Sequence, residues 1–233
     1  MITLLENVAL PSFSGLSFMQ TACLNTAFEG SPLAPDIWVQ TLGGKTTAVI
    51  SRWGGRLYIS IDNADLEEIK EFIFVIGFSE IFCDKATALS LGLDADEEFS
   101  VLSKKCEKGA KAIAIPSLRG LYGGLKEGED GDITLPSFED FAADVSHRLR
   151  HSGGVAILEE YGAALGFCCA FGGIVNGIAV KKEYRGRGFG AKMLNRLCAA
   201  IGGEIFVATS SDTAKFYIKN GFEETMSAVI VRG

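Results

Sequence analysis

Between Val180 and Ala191 the chain reads VKKEYRGRGFGA, with three glycines at alternate positions and four cations in twelve residues. A short β-branched run, IVNGIAV from Ile174 to Val180, leads into it, and a helical pattern starting at Phe189 follows. A strand that turns through glycines into a helix leaves several main-chain N–H groups without acceptors, all pointing one way at the positive end of the helix dipole. Phosphate fits there, and glycine lets an anion approach the amides because no Cβ intervenes. Arg185 and Arg187 add attraction for a small anionic ligand. A plain turn needs one glycine rather than three. The expected contacts are therefore the backbone and side chains of Arg185, Gly186, Arg187, Gly188, Phe189 and Gly190.

Two other phosphate motifs compete for this segment. It contains no GKS or GKT, so it is not a P-loop. GRGFGA does fit G-x-G-x-x-A, the dinucleotide fingerprint, and Glu204 lies 18 residues after Gly186. In a dinucleotide fold, however, the first glycine follows its strand almost at once and further βα units come after. Here five residues intervene between Val180 and Gly186, and only 43 remain after Gly190.

Around this segment the pattern alternates between strand and helix. Ser137 can cap a helix carrying Phe138, Phe141, Val145 and Leu149 at three-to-four spacing, with Asp140 placed for a capping box. VAILEE (Val155 to Glu160) and AALGFCCAF (Ala163 to Phe171) read as a hairpin turning at Tyr161-Gly162. After the glycines, Phe189, Met193, Leu197 and Ala200 share one helix face that stops at Gly202-Gly203. EIFVAT is another strand, SSDTAKFYIKNGF a short helix, and EETMSAVIVR a last strand. That order predicts an α/β fold with a mixed sheet.

The N-terminal half echoes it. DIWVQTL, TTAVISRW and RLYISID read as three strands, ADLEEIKEFIFVIG as a helix, EIFC as a strand, DKATALSLGL as a helix and EEFSVLS as a strand. Glu80-Ile81-Phe82 recurs as Glu204-Ile205-Phe206 and Glu97-Glu98 as Glu223-Glu224, at offsets of 124 and 126. Together these indicate a duplicated unit with one diverged copy. The first copy passes from LYISIDN into ADLEEIKEF without glycines and with extra acid, so it is not expected to bind what the second binds. LKEGEDGDITLP, 125–136, is the least core-like stretch and the expected linker between a domain of residues 1–124 and one of residues 137–233.

Charge divides unevenly: residues 1–136 hold 11 cations and 19 anions, residues 137–233 hold 11 and 10. An acidic half argues against a general nucleic-acid binder, which needs a concentrated basic surface. No window offers the roughly 18 unbroken apolar residues of a membrane span, and the N-terminal residues lack a secretory pattern, so a cytoplasmic protein without membrane contacts is expected. The six cysteines stand in apolar contexts without zinc spacing, and His147 and His151 are the two histidines, so no metal is expected.

GIAVKKEYRGRGFGAKML followed by AKFYIKNGF resembles the GNAT superfamily of acyl-CoA-dependent N-acetyltransferases. Its signature of Arg or Gln, two residues, Gly, one residue, then Gly or Ala falls on Arg185, Gly188 and Gly190. Its aromatic-Tyr-x-Lys-x-Gly-Phe landmark falls on Phe216, Tyr217, Lys219, Gly221 and Phe222. The resemblance covers 137–233 and extends to the first half as a suspected degenerate repeat, implying a tandem acyl-CoA N-acyltransferase fold.

The resemblance further implies that acetyl-CoA is the co-substrate, its pyrophosphate on the amides of Arg185 to Gly190 and its pantetheine arm along Ile178, Ala179 and Val180, in a sheet that splays after that strand. Tyr217 is the implied acid for the departing thiolate, with a packing role for its ring as the other reading. Many relatives carry Asn where this chain has Ser210, which can still hydrogen-bond the cofactor. The base is left open among Glu159, Glu160 reached through water, and a residue of the N-terminal half. His147 and His151 lie in the region that borders the acceptor site in this family, or form part of a solvated helix face. The implied reaction is acetyl transfer to a primary amine, of a small molecule or a peptide, within a ternary complex. A non-catalytic acyl-CoA-binding or regulatory module is the alternative, and both monomer and homodimer stay open.

Overall fold

The computed structural model describes residues 1–5, 17–25, 36–109, 118–128, 137–151, 153–160, 163–171 and 173–233. In chain order the elements are β1 (Ile2–Leu4), α1 (Phe18–Asn25), β2 (Asp36–Leu42), β3 (Lys45–Trp53), β4 (Arg56–Ile61), α2 (Leu66–Ile76), β5 (Glu80–Asp84), α3 (Lys85–Leu91) and β6 (Glu97–Cys106). There follow α4 (Leu118–Gly128), α5 (Phe138–His151), β7 (Gly153–Glu160), β8 (Ala163–Phe171), β9 (Ile174–Val180), α6 (Phe189–Ile201), β10 (Gly203–Thr209), α7 (Ser211–Lys219) and β11 (Glu223–Arg232). Packing divides them into two units: residues 1–102 with 208–215 and 224–233, and residues 103–207 with 216–223.

In the first unit the strand order is β1-β2-β3-β4-β5-β11-β6. Gly43 and Gly44, at φ +56° and +77°, make the two-residue turn between β2 and β3, where both central residues need positive φ. The triplet Gly44-Lys45-Thr46 thus belongs to a hairpin and not to a strand-to-helix phosphate loop. β3 is buried at every position from Thr47 to Ser51, as a strand covered on both faces must be. Helix α1 packs over β3 and β4, burying Phe18, Met19, Ala22 and Cys23. β4 and β5 run parallel through four register pairs, from Arg56↔Glu80 to Ile59↔Cys83. On the other edge of β5 lies the chain's last strand, antiparallel, from Ala228↔Asp84 to Arg232↔Glu80.

α2 turns Ile69 and Ile73 inward and is capped by Asp65, whose carboxylate accepts the Glu68 N–H. Its start is sealed further by Gln40. The Gln40 amide donates to the Asp65 carbonyl (3.0 Å) and to Glu68 (2.7 Å), and its oxygen accepts the Asp65 N–H (2.8 Å) and the Thr47 hydroxyl (2.9 Å).

In the second unit β10, β9, β8 and β7 are successive neighbours. α6 packs on β7, β8 and β9, and α4 lies over β8 and β9. Met193, Leu194, Leu197 and Cys198 are the buried residues of α6. Phe189 and Ala200, expected on that face, are only half-buried, because the stripe has the adjacent-pair form of a 3.6-residue period. Ser137 caps α5 as expected. Its hydroxyl accepts the Asp140 N–H and donates to the Asp140 carboxylate at 2.7 Å, so Asp140 answers the hydroxyl instead of the Ser137 N–H of a capping box. Of the expected linker, residues 125–128 continue α4, while 129–136 lie outside the described residues, as do the hairpin residues Tyr161 and Gly162.

Candidate functional site

β9 decides the shape of the site. On one side it is laddered antiparallel to β8 from Phe171↔Ile174 to Gly166↔Val180. On the other side, among the described residues, Phe206↔Ile174 is its single register pair with β10, reinforced by the Phe206 N–H donating to the Gly173 carbonyl at 2.7 Å. Beyond that pair the parallel ladder stops, and Ile178, Ala179 and Val180 stand half-buried. Parallel strands 4.8 Å apart normally continue pairing once in register. The corresponding strands of the first unit, β4 and β5, do so through four pairs.

A β-bulge sits in β9 as well. Cys169 faces Gly177 and Ala170 faces Val175, which makes Asn176 the extra residue. Bulges kink a strand and re-aim a side chain. Sequence reasoning missed this feature, although a glycine inside a strand pattern, here Gly177, is its usual signal.

After Val180 a single 3-10 turn (Lys182–Tyr184) brings the chain to Arg185, whose Nε donates back to the Val180 carbonyl at 3.0 Å. Gly186 and Gly188 have φ of +75° and +79°, and a Cβ on either would meet no atom within 4 Å. Their glycines are thus required by backbone conformation, and the space over them is open. Gly188 is the N-cap of α6 and offers no side chain to its first-turn amides. Arg187 lies over the Tyr184 ring at 5.6 Å, holding its charge beside the turn. Open space, uncapped amides and two arginines fit a diphosphate.

Gly190 has a different reason. A Cβ there would stand 3.4 Å from two ring carbons of Phe216 and 3.7 Å from Val180. The residue keeps α6 close to α7, and its missing side chain is answered by protein atoms and not by a ligand. The sequence landmark includes Phe216 but does not reveal this contact with Gly190.

Tyr217, the expected acid, is 4% exposed, with its ring edge-on to Phe216 (5.1 Å) and Phe222 (5.6 Å). Ser210 precedes α7 within the first unit, accepts the Ala214 N–H on its carbonyl and donates its hydroxyl to Thr213 at 3.4 Å. The structure therefore brings Val180, the glycine turn and Phe216 together, and sets Tyr217 next along α7. The side chains of His147, His151, Glu159 and Glu160 lie outside the described residues. Among the described residues, no group of three or more His, Cys, Asp or Glu side chains is placed to hold a metal, and no helix is long and apolar enough to cross a membrane.

A mixed sheet opened beside a glycine turn and a helix N-terminus defines the acyl-CoA N-acyltransferase fold. Residues 151–224 match the family model of the acetyltransferase (GNAT) domain. Solved structures share the fold across both halves. The GCN5-related N-acetyltransferase of Sphaerobacter thermophilus superposes with a TM-score of 0.54 at 15% identity, over 88% of this chain and 82% of its own. A GNAT-family acetyltransferase of Colwellia psychrerythraea gives 0.55 at 15% identity, over 100% and 99%. The tandem GNAT protein of the clavulanic acid biosynthesis pathway gives 0.57 at 11% identity, over 91% and 86%. The chain is thus a tandem of this fold. No curated protein sequence matches it.

Proposed function

We propose that the C-terminal domain transfers acetyl from acetyl-CoA to a primary amine by direct attack within a ternary complex. The observation that carries this reading is the parting of β9 from β10 after one register pair, next to an open glycine turn. The freed edge at Ile178, Ala179 and Val180 offers main-chain groups to a pantetheine arm, as an added strand would use them. The pyrophosphate lies on the amides of Arg185 to Gly190, with Arg185 and Arg187 supplying charge.

In the reaction the amine nitrogen bonds to the thioester carbonyl carbon, and negative charge gathers on the oxygen, where a β9 N–H stabilises it. The C–S bond then breaks, and the thiolate takes the Tyr217 hydroxyl proton. The amine's own proton leaves through water, with Glu159 and Glu160 as the sequence's candidates for the base. The first unit does not share in coenzyme binding: its equivalent strands are zipped, and its helix start is filled by Asp65 and Gln40.

Calorimetric titration with acetyl-CoA tests the binding step, and thiol release from CoA across an amine panel tests the transfer. Absence of binding heat overturns the reading. Binding without thiol release from any amine leaves a non-catalytic acyl-CoA module.

A further inference from the structure

Two thiols outside the acetyl-transfer site stand along one line of contacts in the second unit. Chain from Lys104 to Gly109 runs beside α6. The Lys104 ammonium reaches Asn195 Oδ1 at 3.3 Å, the Gly109 N–H donates to the Ala199 carbonyl at 2.7 Å, and Lys108 Cα lies 2.9 Å from where a Cβ would stand on Gly202. Asn195, Cys198 and Gly202 follow the three-to-four spacing of a single helix stripe. Lys104 and Cys106 are two apart on β6, so they share a face, and Lys104 shows that this face looks onto α6. Cys106 falls between Lys104 and Lys108 as Cys198 falls between Asn195 and Gly202. Cys106 thus stands beside the turn of α6 that carries Cys198, its thiol donating to the Lys104 carbonyl at 3.8 Å, and burial, followed by the neighbouring Cys106 thiol, pushes the Cys198 thiol up to about 12.

We propose that Cys106 and Cys198 are a site of reversible oxidation, forming an intramolecular disulfide when the protein meets a peroxide. Cys106 is half-exposed, whereas Cys198 is 2% exposed, so Cys106 meets the oxidant first. Its sulfur attacks one peroxide oxygen, the O–O bond breaks, and a sulfenic acid forms with release of one water from hydrogen peroxide. The Cys198 sulfur then attacks the sulfenic sulfur: the S–S bond forms, the S–O bond breaks, and a second water leaves. Two thiols supply the two electrons that reduce one peroxide. The product fastens the second half of α6 to the end of β6. Cys23, Cys83 and Cys168 are buried, out of the oxidant's reach.

Folded protein is treated with hydrogen peroxide, then unfolded and alkylated, digested without reductant and analysed by mass spectrometry. The expected product is one linked peptide pair containing Cys106 and Cys198, lighter by about 2 Da than the two thiol peptides together and separated by dithiothreitol. It is absent in Cys106→Ser and in Cys198→Ala. Should the buried alanine variant fold poorly, Cys106→Ser, at a half-exposed position, carries the control by itself. Recovery of both cysteines as alkylated thiols, stepwise oxidation of Cys106 to the sulfinic acid with Cys198 still free, or a link from Cys106 to another cysteine overturns the proposal.

Discussion

The ring of Phe216 stands 3.4 Å from the position that a Cβ would take on Gly190, so the third glycine of the turn serves helix packing, whereas Gly186 and Gly188 serve backbone conformation. Different substitutions should separate the two roles. Gly188→Ala, forced to φ +79°, is expected to lose about 1–2 kcal/mol of stability whatever stands at Phe216. Gly190→Val pushes methyl groups into the ring, and its loss should be largely recovered in the double variant with Phe216→Ala. Urea unfolding of the four proteins, analysed as a double-mutant cycle, checks this. Additive losses at Gly190 and Phe216 would show that the contact carries no coupling.

Tyr217→Phe keeps the ring between Phe216 and Phe222 and removes only the hydroxyl. Turnover is expected to fall by about a hundredfold while acetyl-CoA affinity and the unfolding midpoint stay nearly constant. Steady-state kinetics beside calorimetry reads the split. Unchanged turnover would take Tyr217 out of the acid role and leave it as packing.

Gln40 is 1% exposed and makes four hydrogen bonds that close the start of α2. Gln40→Leu leaves the Asp65 N–H, the Asp65 carbonyl and the Thr47 hydroxyl without this partner. The expected destabilisation is about 2–4 kcal/mol by urea unfolding. Because β4 and β5 stay paired with or without Gln40, acetyl-CoA should bind at one site per chain in both proteins, as read from calorimetric stoichiometry.

What the sequence made legible was local. Strand, glycine turn and helix follow one another at Ile174 to Ile201, each with its own period and stop, and the seven expected elements from Asp36 to Cys106 formed as strands and helices in that order. Long-range pairing was not legible. That β11 lies against β5 depends on edges brought together by folding, and no residue pattern in EETMSAVIVR names its neighbour. α4 escaped for a different reason: LRGLYGGLKEG carries glycines that weaken helix propensity, and its packing over β8 and β9 supplies what propensity does not. The Asn176 bulge and the Gly190 contact with Phe216 are likewise set by partners distant in sequence.

Acid should expose one ion pair of the first unit. The Lys85 ammonium beside Glu98, 2.9 and 2.7 Å from its two oxygens, holds that carboxyl below its ordinary value of 4.5, helped by a hydrogen bond from Ser227. A carboxyl depressed by folding stabilises the folded state above the unfolded-state value, and that contribution fades as pH falls through the lower folded-state value. Both groups are about half exposed, so the effect is small and weakens with salt. Lys85→Met removes the main cause. The variant should unfold at lower urea than the parent at pH 7, and the gap should close at an acid pH below the folded-state value, where Glu98 is protonated in both states. A gap of equal size at both pH values would assign the loss to the lysine's packing and not to its charge.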